Sequence, residues 1–111
     1  MQNDVNDAFS KDSIRPLVIR SLRRSSVRKR IAEYLFDISP SGSYTSDIAS
    51  HIKTTPTNVL GAIWGMESRY RDEESLISLH LVEQIRTGKK NNIKLYRLTD
   101  FGREIVNYLK K

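Results

Sequence analysis

Residues 86–94 read Arg-Thr-Gly-Lys-Lys-Asn-Asn-Ile-Lys and lie between two apolar runs. Gly88 lets the backbone turn, and Asn91 and Asn92 tolerate unusual backbone angles. Arg86, Lys89, Lys90 and Lys94 then gather cations about one hairpin tip. The chemistry open to such a group is attraction to an anion outside the protein. The plainer alternative is a soluble turn, since lysines on edge strands also prevent aggregation.

A second cationic group lies upstream. Arg15, Arg20, Arg23, Arg24, Arg28, Lys29 and Arg30 occur within residues 13–32, with no acid among them. Arg28 and Lys29 fall at the start of a helix, where cations oppose the helix dipole. That placement calls for a partner. It is either an outside anion, or an internal acid such as Asp72, Glu73 or Glu74. The whole chain carries net charge +6 and a pI near 9.8. That range makes nucleic acid a reasonable first partner.

Enzyme chemistry finds little support. The chain has no cysteine, and His51 and His80 stand far apart with no third ligand beside either. No glycine-rich phosphate loop or nucleophile motif is present. A non-enzyme without metal or cofactor is expected. No apolar run approaches the roughly 20 residues of a membrane span. The first residues lack a basic-then-apolar leader pattern, so a cytoplasmic location is expected.

The elements that hold these groups follow from periodicity and punctuation. A chain of 111 residues fits one domain. Residues 1–12 read as a flexible polar tail and residues 13–111 as the domain. Residues 13–24 fit either a helix begun by Ser13, with Pro16 in its first turn, or a short strand. Val27, Ile31, Tyr34 or Leu35, and Ile38 recur at helical spacing and predict a helix over residues 26–38. Ser39-Pro40-Ser41-Gly42 breaks it. Thr45 is expected to cap a short helix with Asp47 in its first turn and Ile48, Ala49 and Ile52 on its apolar face.

After Lys53-Thr54, Thr55 caps a further helix with Pro56 at its first position. Val59, Ile63 and Met66 form its buried stripe, and Trp64 is expected in the core or at a dimer contact. Residues 73–80 read as another helix. Leu81, Val82 and Ile85 predict a strand, paired across the basic tip with residues 93–98. Thr99 caps a last helix over about residues 99–110. The class is mainly α with a small β-hairpin.

With Tyr96-Arg97-Leu98-Thr99-Asp100-Phe101-Gly102-Arg103 closing the hairpin and Leu81-Val82-Glu83 opening it, the chain resembles the winged helix-turn-helix transcriptional regulators. It looks most like small archaeal members of a MarR/PadR-like superfamily. The resemblance places the helix-turn-helix at about residues 45–66 and the wing at about residues 81–98. It implies double-stranded DNA as partner and a homodimer. The recognition helix would enter the major groove through Thr55, Thr57, Asn58 and Gly61. The wing would meet the phosphate backbone through Arg86, Lys89, Lys90, Asn91 and Lys94, with Arg28, Lys29 and Arg69 as further phosphate candidates. Leu17, Val18, Ile19 and Leu22, with the last helix, are the candidate dimer contact.

The recognition helix departs from a strong base reader. Leu60, Gly61, Trp64 and Gly65 stand where arginine or glutamine is usual. Asn58 either reads adenine through its amide or satisfies the helix start. Glycines cost a helix roughly 1 kcal/mol each against alanine, which suggests a close approach by some neighbour. The alternative function is therefore a winged-helix protein-interaction module in a larger complex, docking through that apolar face.

Overall fold

Ser25 begins the central helix by local chemistry: its hydroxyl accepts a hydrogen bond from the Arg28 backbone N–H. In the computed structural model, which describes residues 11–66, 72–87 and 93–110, that helix is α2 (Ser26–Ile38). It follows α1 (Lys11–Arg24). Residues 13–24 are thus helical, and Pro16 lies inside α1 rather than in its first turn. Then come α3 (Thr45–Ile52), α4 (Pro56–Trp64), a single 3-10 turn (Asp72–Glu74), β1 (Val82–Thr87), β2 (Ile93–Leu98) and α5 (Asp100–Lys110).

The core gathers where the helices meet the hairpin. Ile31 and Leu35 of α2, Ile48 of α3, Val59 and Ile63 of α4, and Ile105 of α5 are wholly buried. Val18 and Leu22 of α1 join them, so these two serve the core of the chain itself and not a contact between copies. Their spacing of four puts them on one face of α1, which lies against α2.

Helix α3 starts one residue earlier in its cap than expected. Tyr44 occupies the cap position without a side-chain hydrogen bond, and Thr45 is already helical. The α3 helix ends at Lys53, which adopts the left-handed conformation at φ 60°. Its N–H and that of Thr54 close back on Ser50 and Ala49. Thr55 then accepts from the Asn58 N–H, with Pro56 at the first position of α4. This is a helix-turn-helix in which Ile48, Ala49 and Ile52 brace Val59, Ala62 and Ile63.

Residues 75–80 form turns, not the expected helix. The reason is competition for hydrogen bonds. Ser75 Oγ accepts from the Ser78 N–H and donates within the same turn, a side-chain alternative to the helix ladder. The backbone N–H groups of Leu76 and Ile77 reach the carbonyls of Ala62 and Ile63 instead. They thereby satisfy acceptors at the C-terminal end of α4.

The hairpin pairs Val82 with Leu98, Gln84 with Tyr96 and Arg86 with Lys94 on one face. A bridge between Ser43 and Tyr96 ties β2 to the segment before α3. Thr99 caps α5 by accepting from the Gly102 N–H while donating to the His80 carbonyl.

Candidate nucleic-acid interface

Helix α4 has its core face taken by Val59, Ala62 and Ile63. Thr57, Leu60 and Trp64, at spacings of three and four, form the outer stripe. Leu60 is 41% exposed and Trp64 45%. Of the two expected places for Trp64, its exposure excludes the core of the chain. Val59 and Ile63 occupy the inner face, and the residue following each lies about 100° further round. Gly65, at φ 105°, ends the helix directly after Trp64.

The hairpin stands beside this stripe. Trp64 donates from Nε1 to the Tyr96 hydroxyl at 3.1 Å, and that hydroxyl donates to Gln84 Oε1 at 3.3 Å. The Trp64 and Tyr96 rings meet edge-on, with centroids 6.4 Å apart. Between α4 and β2 lies an open cleft of about 580 Å³, lined among others by Thr57, Leu60, Trp64, Lys94 and Tyr96. Arg86 and Lys94 are exposed and directly opposed in register, continuing the hairpin face that carries Gln84 and Tyr96. Like charges directly opposite on a sheet repel. The arrangement favours an anion above them.

Several expected contacts stand differently. The Asn58 amide nitrogen donates one hydrogen bond to Thr54 Oγ1 at 3.0 Å, in the turn before the helix. The Thr55 hydroxyl serves as cap. Thr57 is exposed and lines the cleft. Gly61 is buried in α4, although its backbone borders the cleft. Lys89, Lys90, Asn91 and Arg69 lie outside the described residues.

Arg28 requires correction. It is buried, and its Nη1 lies 3.3 Å from Glu74 Oε1, with side chains only 4% and 5% exposed. Arg24 pairs with the other Glu74 oxygen at 3.2 Å. The internal acid therefore supplies the partner that this cation needed, and Arg28 is not a phosphate contact. Arg15 pairs with Glu104, and Arg30 donates to the Ile52 carbonyl. Lys29 is exposed but opens on a different groove, between α1, α2 and α5. That groove shares no lining residue with the cleft beside α4.

Lys53, beside this surface in sequence, was not singled out from the sequence. It is exposed in the turn leading into α4 and holds a left-handed conformation usually given to glycine. The signal available was its position between Ile52, the last apolar residue of α3, and Thr55-Pro56. His51 stacks on Tyr34, with centroids 4.2 Å apart. Among the described residues no group of three or more His, Asp or Glu could hold a metal ion. No helix among them is long and apolar enough to cross a membrane.

A family model described as EarA-like matches residues 18–109. A protein of Methanocaldococcus jannaschii, the uncharacterised MJ0905, is 44% identical over 97 residues, covering 87% of this chain and 85% of its own. Among solved structures, a mutant of MepR from Staphylococcus aureus superposes with TM-score 0.62 at 15% identity. It covers all of this chain and 75% of its own. A mutant of ZitR from Lactococcus lactis, in apo form, superposes with TM-score 0.53 at 14% identity. It covers 99% of this chain and 72% of its own. The fold is the winged helix that these structures share.

Proposed function

The chain belongs to the EarA-like family, and we propose that it is a transcriptional regulator that binds double-stranded DNA in a sequence-dependent way. Helix α4 lies in the major groove, and the hairpin lies on the phosphate backbone. One observation carries this reading: Arg86 and Lys94 are opposed and exposed on the hairpin face adjoining the outer stripe of α4. A groove-sized helix and a phosphate-seeking pair thus share one surface. The winged-helix fold shared with MepR and ZitR agrees with it.

Phosphate neutralisation supplies most of the affinity in this reading. If about six phosphates are contacted, the log–log dependence of affinity on salt has a slope of about −5. Fluorescence anisotropy of a labelled duplex at several salt concentrations measures it. No binding at low salt, or binding indifferent to salt, overturns the proposal.

The regulator acts as a homodimer in this reading, in the cytoplasm of an archaeon. The M. jannaschii relative supports the source. Tyr108, 54% exposed on α5, and the half-buried Leu17, Ile19 and Leu109 replace Val18 and Leu22 as the apolar residues left for a contact. Light scattering that returns a monomer mass removes the dimer.

The exposure of Leu60 and Trp64 favours a second reading, a winged-helix module that docks another protein through α4. Charge reversal at Arg86 and Lys94 separates the two. It abolishes duplex binding in the first and leaves docking through α4 intact in the second.

A further inference from the structure

We propose that α4 selects thymine, reading its 5-methyl group through Leu60 and Trp64. This rests on the DNA-binding reading above and adds to it which base the helix prefers.

The side-chain polar groups on α4 are few, and several of them are engaged within the chain. Residues 56–64 contain no Arg, Lys, Gln, Asp or Glu. The Asn58 amide nitrogen donates to Thr54, and the Thr55 hydroxyl caps the helix. The one polar atom of Trp64, Nε1, donates to Tyr96. What Trp64 presents outward is therefore its ring. Leu60, one turn earlier on the same face, is 41% exposed and wholly apolar. Thr57 adds a methyl and a hydroxyl on that stripe.

The major groove offers this stripe few matches. Guanine, cytosine and adenine show only donors and acceptors on that edge, whereas thymine adds a methyl group. Pressing Leu60 or Trp64 onto a G·C pair buries base-edge polar atoms without partners, which is unfavourable. Pressing them onto thymine buries apolar against apolar. Lys94 lines the cleft across from the stripe, and Arg86 is its partner in the hairpin register. A phosphate backbone beside the groove complements them in charge, which a purely apolar protein partner does not.

The test uses the full chain and a random 20-base-pair duplex pool. Bound duplexes are selected, and the best is remade with dU in place of dT, which removes only the methyl. Thymine is expected to be enriched, and each contacted dT→dU change to weaken binding about fourfold. Leu60→Ala should bring the dT/dU ratio at its position toward one. Because Leu60 is exposed, that variant is expected to fold, and circular dichroism checks it. Trp64→Phe is the second variant, retaining a ring. Equal binding of the dT and dU duplexes, with salt-dependent binding intact, overturns the thymine inference while the DNA-binding reading stands. A dT/dU ratio unchanged in both variants overturns the assignment to Leu60 and Trp64. Absence of any duplex binding at low salt is a different failure, that of the DNA-binding reading itself.

Discussion

Trp64 and Tyr96 are joined by a 3.1 Å hydrogen bond from the indole Nε1–H to the phenol oxygen, linking the exposed end of α4 to the hairpin. Because Tyr96 is buried while Trp64 is half exposed, the bond anchors a surface group to the core. Tyr96→Phe keeps the ring packing and removes the hydroxyl, together with its bond to Gln84. Water can reach Trp64, so only part of the loss is felt. We expect about 1 kcal/mol of destabilisation, or a melting temperature roughly 4–8 °C lower for a domain of this size. A thermal melt followed by circular dichroism checks it; an unchanged midpoint means that the bond contributes nothing.

Glu74 sits at the centre of a second link, receiving Arg28 and Arg24 on its two carboxylate oxygens. Its backbone carbonyl also accepts from Ser21 Oγ at 2.8 Å. Together these contacts hold the 3-10 turn against α1 and α2. Glu74→Gln keeps the shape but removes the negative charge that Glu74 places 3.3 Å from the buried Arg28 guanidinium. A loss of about 3–5 kcal/mol is expected, while an Arg28→Met/Glu74→Leu double variant loses less. With a urea slope of about 1–3 kcal/mol/M, the single variant should unfold at least about 1 M earlier. Equal midpoints for the single and double variants would show that the lost Glu74 charge beside Arg28 is not the cause.

Gly102 lies in the first turn of α5, where alanine normally improves a helix by roughly 0.5–1 kcal/mol. Here the sign reverses. A Cβ at this position would stand 2.3 Å from the Leu81 carbonyl oxygen, a backbone atom that cannot swing aside. Gly102→Ala should therefore destabilise by about 1–3 kcal/mol, as overpacking does. A stability gain in urea unfolding would show that α5 can shift away from the strand.

Much of this was legible where the cause is local. Thr55-Pro56 and Thr99 announced helix starts because capping acts within three residues. The strand at Ile93–Leu98 followed from its alternation and the turn chemistry before it. The quoted stretch from Tyr96 to Arg103 now has physical content: a hydrogen-bonding phenol, an Arg97–Glu83 pair at 2.7 Å, a buried Leu98, a cap and a tight glycine. What was not legible depends on distant partners. The two carbonyls that draw Leu76 and Ile77 out of a helix belong to α4. Arg28 finds Glu74 across 46 residues, so its sequence neighbourhood left outside and inside anions equally open. The size of Trp64 left core and dimer contact both open, although the phase of Val59 and Ile63 already pointed it outward.

Arg86 and Lys94 face each other across the hairpin, which opposes stability and serves binding. Like charges in that relation cost a sheet roughly 0.2–1 kcal/mol. Arg86→Thr removes the repulsion and places a β-branched residue suited to a strand. The folded chain should then be as stable as before or slightly more so. Duplex binding should weaken, and the salt slope should become shallower by about 1, the share of one phosphate contact. The two measurements, a urea melt and anisotropy across salt concentrations, are made on one variant. Opposite movement of stability and affinity identifies a group held in place for a ligand. A variant that loses both would mark Arg86 as a structural residue, and one that keeps its full affinity and slope would remove the hairpin from the interface.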